Sequence, residues 1–169
     1  MQKILIPIDG SDLSLDAVRH ALTLRRQGLE VEYVLANVQE PASLYEMLTI
    51  RDPERVQGMT ASAGDHLLER AREMCDAAGA SYECEIASGD PAHTLLEIAE
   101  RFSCHAIIVG ARGHGGLLGT HLGSVSQVLA QTSSIPVTIV KHVAFDAPSE
   151  FARHDTSRPA DPEVVVGLA

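Results

Sequence analysis

Five short apolar runs, each followed by a turn or cap and then by a stretch with helical spacing, restrict this chain to an α/β architecture. The runs fall at residues 3–8 (Lys-Ile-Leu-Ile-Pro-Ile), 31–38, 82–87, 106–109 and 136–141. Between the first two, Leu15, Val18, Ala21 and Leu22 recur at 3.6-residue spacing until Gly28 stops the pattern. A longer stripe of Val56, Met59, Ala63, Leu67, Leu68, Ala71 and Met74 ends before Gly79, and Leu95, Ile98, Ala99 and Phe102 carry a third helix. A fourth is expected from Ser124 to about Gln131. Cap chemistry agrees with these boundaries. Asp9-Gly10-Ser11-Asp12 supplies a turn and a cap, while Asp52-Pro53 and Asp90-Pro91 each pair an N-cap residue with proline at the first helical position. Strict alternation of strand and helix implies parallel pairing. A parallel sheet needs helices on both faces, which is why runs such as Ile107-Ile108-Val109 are continuously apolar.

The fourth run opens into the most unusual segment of the chain. Six of the thirteen glycines lie between Gly110 and Gly123, directly before Ser124. A strand entering a glycine-rich loop and then a helix is a phosphate-binding arrangement. Glycine lets main-chain N–H groups approach an anion, and the helix start adds unpaired N–H groups and the positive end of its dipole. Charge points the same way. The chain holds 23 acidic residues in 169, so residues 101–145 would hold about six if acids were scattered evenly, and they hold none. Arg101, Arg112 and Lys141 remain. The same gap would arise if buried strands and tight loops simply lacked carboxylates.

Bulk properties bound the rest. With 169 residues and 45% hydrophobic composition the expectation is one domain with a sizeable core. A formal net charge of −10 disfavours nucleic acid and anionic membrane as partners, because both select a basic surface. Cys75, Cys84 and Cys104 form no C-x-x-C pair and are odd in number, which suits core filling in a reducing compartment. The start of the chain enters a strand pattern at once, and no apolar run approaches 18 residues, so a cytoplasmic location is expected.

Known phosphate and catalytic motifs do not account for the loop. Gly116 stands where a Walker motif requires lysine, and the third glycine of a dinucleotide fingerprint is missing after Gly113-His114-Gly115. There is no Gly-x-Ser-x-Gly elbow and no helical histidine pair for zinc.

The spacing Gly110-x-x-Gly113, nine further residues, then Gly123-Ser124 resembles the nucleotide signature of universal stress proteins. Residues 4–12 resemble that family's first strand and turn, and 136–141 its last strand, so the resemblance covers about residues 1–142. It implies a Rossmann-like open five-stranded parallel sheet in the order 3-2-1-4-5, with an adenine nucleotide, ATP or a relative of it, at the ends of strands one, two and four. Pro7 and Asp9 would lie near the adenosine and phosphates, and the Val38 backbone would read the adenine edge. Gly110, Ala111, Arg112, Gly113 and His114 would line ribose and phosphates. Gly123, Ser124, Val125 and Ser126 would receive phosphates at the helix start. Asn37 stands where many relatives carry histidine. The resemblance also implies a homodimer through the fifth strand, whose apolar edge invites pairing.

Asp9 has two readings, a ligand to Mg2+ or ribose and a turn-former before Gly10. Fast phosphoryl transfer needs several groups on the γ-phosphate, and the sequence offers Asp9, Arg112 and a metal ion. The expected function is therefore an ATP-binding regulatory homodimer of the stress response. A slow Mg2+-dependent ATPase or phosphotransferase and a nucleotide-free interaction module are the alternatives. Residues 1–143 form the expected nucleotide-binding domain, and 144–169, rich in proline and acid, a loosely held tail.

Overall fold

The structure, a computed structural model, describes residues 2–39, 53–113 and 122–141. The elements alternate as the sequence predicts: β1 (Gln2–Pro7), α1 (Asp12–Arg26), β2 (Val31–Gln39), α2 (Pro53–Ala77), β3 (Tyr82–Ser88), α3 (Pro91–Arg101), β4 (Ala106–Gly110), α4 (Ser124–Thr132) and β5 (Val137–Val140). All four pairings are parallel, in the order β3-β2-β1-β4-β5. The expected strand order and fold class are both present.

Strand alternation splits the core into two layers. Ile4, Ile6, Ile8, Tyr33, Leu35 and Ile108 join Leu15, Val18, Leu22, Leu68 and Cys75 on the face covered by α1 and α2. Leu5, Val34, Ala36, Ile107 and Val109 pack with Leu95, Ile98 and Leu129 under α3 and α4. Central strands sandwiched in this way cannot alternate apolar with polar residues, which accounts for their unbroken hydrophobic runs. Tyr33, fully buried, keeps its hydroxyl satisfied by donating 2.9 Å to the carbonyl of Ala21.

Helix starts follow the cap signals. Ser11 accepts from the Ser14 amide at α1, and Asp90 from the His93 amide at α3. That bond, with a second from the His93 ring, holds the Asp90 carboxyl below the usual carboxylate range. Asp52, the expected cap of α2, lies outside the described residues. Cys75 and Cys104 are buried as core filling requires, and burial pushes the Cys75 thiol up to about 11. Among the described residues no helix is long and apolar enough to cross a membrane.

Candidate functional site

β1 sits at the centre of the sheet, with β2 on one side and β4 on the other. The connection from β1 leads by α1 to β2, and that from β4 leads by α4 to β5, so the chain departs in opposite directions and a crevice opens at the strand ends. Asp9 follows β1 and residues 110–113 follow from β4, and the two meet there, with Asp9 Oδ2 directed at Gly113.

The described glycines of this segment, Gly110, Gly113 and Gly123, make close contacts within the protein. A Cβ on Gly110 would lie 2.7 Å from the carbonyl oxygen of Leu13, because the first turn of α1 rests on the end of β4. One on Gly113 would lie 2.4 Å from Asp9 Oδ2, and one on Gly123 would lie 3.2 Å from the Arg112 Cα. Three missing side chains thus bring α1, the end of β1 and the start of α4 to one place. The expectation that glycine here only clears space for an anion is too simple.

Main-chain bonds refine the predicted phosphate contacts further. The Ala111 amide donates 2.7 Å to the Val140 carbonyl, and the Gly123 amide 2.8 Å to the Ala111 carbonyl. These two groups hold the loop to β5 and to α4 rather than facing the crevice. Ser126, expected at the phosphates, is buried at 3% exposure and its hydroxyl donates 2.7 Å to the Gly110 carbonyl. Its amide belongs to the first turn of α4 with those of Ser124 and Val125, and such amides have no intrahelical acceptor. Gly123 caps that turn with no side-chain bond, leaving the positive end of the helix uncovered by a cap group.

Beyond β1, Asp9 Oδ1 accepts from both the Ser11 amide at 2.9 Å and the Ser11 hydroxyl at 2.6 Å. Asp9 is therefore a turn-former, while its Oδ2 is directed at Gly113. Among the described residues no group of three or more His, Cys, Asp or Glu side chains could hold a metal ion. A Mg2+ held by one carboxylate and the phosphates of a nucleotide fits that inventory, since Mg2+ is commonly bound through one or two carboxylates plus substrate phosphates.

Val38 occupies a distinctive place in β2. The Tyr33 amide bonds across to Ser81 and the Gln39 carbonyl to Gly89, so odd-numbered main-chain groups face β3. Even-numbered ones face β1, as the bond from the Ile8 amide to the Ala36 carbonyl shows. Pairing with β1 ends at Pro7 and Ala36, so the N–H and C=O of Val38 point past the end of β1 into the crevice. Pro7, half-buried, ends that last pair. His114 lies outside the described residues, as do 142–169.

The sequence does not single out Leu13, and it marks Asn37 only as standing in place of histidine, with no structural role given to it. Leu13 supplies the backbone that makes Gly110 obligatory, and nothing local in its sequence signals that. Asn37 is buried at 2% exposure and donates 2.7 Å through Nδ2 to the Ile8 carbonyl. An amide inside the otherwise apolar run 33–38 is the signal that could have found it.

Comparison with known proteins agrees with this fold. The model of the universal stress protein family matches residues 1–141. The chain is 34% identical over 145 residues to the universal stress protein YxiE of Bacillus subtilis, covering 82% of this chain and 98% of that one. Among solved structures, a universal stress protein in complex with cAMP is 27% identical, with a TM-score of 0.61 over 83% of this chain and 96% of its own. An Arabidopsis thaliana family member with AMP bound shares the fold at 22% identity, with a TM-score of 0.62 over 89% of this chain and 97% of its own.

Proposed function

The chain belongs to the universal stress protein family, and from that premise we propose that its crevice binds an adenine nucleotide, ATP with Mg2+ foremost, in a regulatory homodimer of the cytoplasmic stress response. One juxtaposition supports the reading: Asp9, the main-chain edge of Val38 beyond the last pair with β1, and the first turn of α4 all lie at strand ends where the strand order reverses. Val38 offers a donor and an acceptor side by side, matching the ring nitrogen and amino group of adenine, whereas guanine presents the reverse polarity. The amides of Ser124, Val125 and Ser126 suit phosphate oxygens. Arg112 and, by its place in the sequence, His114 belong to the same segment, to which Arg112 would add positive charge. The cAMP and AMP held by the two solved relatives favour the adenine class.

The dimer is proposed through β5, the sheet's outer strand. Its residues Val137, Ile139 and Val140 are half-buried in one chain, and an isologous pairing would cover that edge. Light scattering at micromolar concentration should give twice the chain mass, and Thr138→Pro should halve it; a monomer throughout removes the dimer from the proposal.

Nucleotide binding is tested by mass spectrometry of what heat-denatured, freshly purified protein releases, followed by melting with added ATP. A ligand at a hundred times its Kd stabilises by about 2.7 kcal/mol, a clear rise in Tm. No released nucleotide and no rise with ATP, AMP or cAMP would return the chain to the interaction-module reading. Multiple turnovers of ATP, lost in Asp9→Ala, would make it a slow ATPase instead.

A further inference from the structure

β1 and β2 stop pairing through their main chains at Ile8 and Ala36, one step short of Val38. A side-chain relay continues where the ladder ends. Gln39 donates through Nε2 to Asn37 Oδ1, and Asn37 donates through Nδ2 to the Ile8 carbonyl. Asn37 is closed over by α2, where Gly64 lies so near that a Cβ there would sit 3.0 Å from Asn37 Oδ1 and 2.8 Å from Ile86 Cγ2. Both polar ends of the buried amide are satisfied and its rotamer is fixed by packing.

We infer that Asn37 is the positioning residue of the base-reading edge: its amide bridge clamps the end of β1 to β2 and sets the spacing between Val38 and the Pro7–Asp9 turn. The inference rests on the adenine reading of the crevice and adds a residue to it that touches no ligand. An apolar residue of similar size at 37 leaves the Ile8 carbonyl without its donor, and a buried acceptor without a partner drives local rearrangement. The rearrangement falls between the base edge and the turn. The first turn of α4 is bonded through Gly123 to Ala111 and is anchored independently. Base-dependent and phosphate-dependent affinity should therefore separate.

The experiment compares wild type with Asn37→Leu, using ATP, GTP and inorganic tripolyphosphate as probes in calorimetry, alongside hydrogen exchange of the main-chain amides. Expected in Asn37→Leu is a loss of ATP affinity of about tenfold or more and a matching fall in the preference for ATP over GTP, with tripolyphosphate affinity unchanged. The Ile8 amide should exchange faster while those of Leu5 and Ile6 keep their protection. Gln39→Leu, which removes only the outer link and leaves Asn37 in place, should give a smaller loss of the same kind and serves if Asn37→Leu fails to fold. Equal losses for ATP and tripolyphosphate, or an unchanged preference for ATP over GTP in both variants, would overturn the inference while leaving nucleotide binding intact. A wild-type protein that binds none of the three probes overturns the adenine reading and this inference with it.

Discussion

The glycines that end α1 and α2 and the glycines around the end of β4 serve different purposes. At the end where the helices return to the strands, α1 and α2 finish in the same motif. Gly28 donates to Arg25 and Leu29 to Leu24; Gly79 donates to Asp76 and Ala80 to Cys75. Both glycines have φ in the left-handed region, +105° and +59°, and a Cβ on either would meet nothing within 4 Å. At the crevice end, Gly110, Gly113 and Gly123 are defined by what a Cβ would strike: a helix backbone, a carboxylate and a neighbouring loop. The helix ends select glycine for conformation and the segment around the end of β4 selects it for space, while Gly10, with φ of +81°, brings the conformational kind to the crevice end as well. Only the kind selected for space draws distant parts of the chain together, so the family's glycine spacing records the packing of the site at least as much as its ligand.

That contrast can be broken most directly at Gly110. Gly110→Ala should destabilise by roughly 3 kcal/mol in urea unfolding, since backbone atoms at 2.7 and 2.9 Å cannot step aside as a flexible side chain would. A loss no larger than that of an exposed substitution would show that α1 does not rest on β4 as described.

Gly113→Ala should behave differently, because its obstacle is a side-chain oxygen of Asp9 and not backbone. Stability should change little, while ATP affinity falls about tenfold through displacement of the carboxylate. Asp9→Ala should cost a similar amount and the double variant no more than either alone, a non-additivity that calorimetry can read. Additive losses would separate the two residues.

Gly79→Ala tests the other end. It should cost about 1 kcal/mol in stability from the left-handed backbone and leave nucleotide affinity unchanged. The smallest effect is expected at the third helix end. There Ser103 donates to Glu100 and Cys104 to Ala99 in the same pattern, but the left-handed residue, with φ of +53°, is serine. Ser103→Gly should raise stability by about 0.5 kcal/mol, the relief of strain exceeding the added freedom of the unfolded chain. A destabilised variant would deny that this end matches the other two.

Gly123→Val would be a poor test of where the phosphates sit. A branched side chain there would press on Arg112 as well as occupy the anion's space, so lost binding alone would not place the phosphates. Val38, by contrast, is sharpened by the structure. The resemblance implied a base contact, and the odd-even alternation of β2 shows its main-chain groups directed past β1.

Much of the fold was legible because its signals are local. The caps at Ser11 and Asp90, the stops at Gly28 and Gly79 and the apolar strands each depend on residues within a turn or two, and helix and strand boundaries fall within one or two positions of those expected. The site was legible as a segment and not as a set of contacts. The sequence could not show that the Ser126 hydroxyl is bonded to Gly110, leaving only its amide for a ligand, or that the Ala111 and Gly123 amides are bonded to Val140 and Ala111.

The linear chain determined by itself that strands and helices alternate, that the sheet is parallel and buried on both faces, and that carboxylates are absent around the glycine loop. Tertiary structure alone decided which amides the loop keeps for its own cohesion, why α1 demands a glycine at 110, and how Asn37 ties Ile8 to β2. Those contacts join residues tens of positions apart, and neither periodicity nor cap chemistry, which act over a few residues, carries information across that separation.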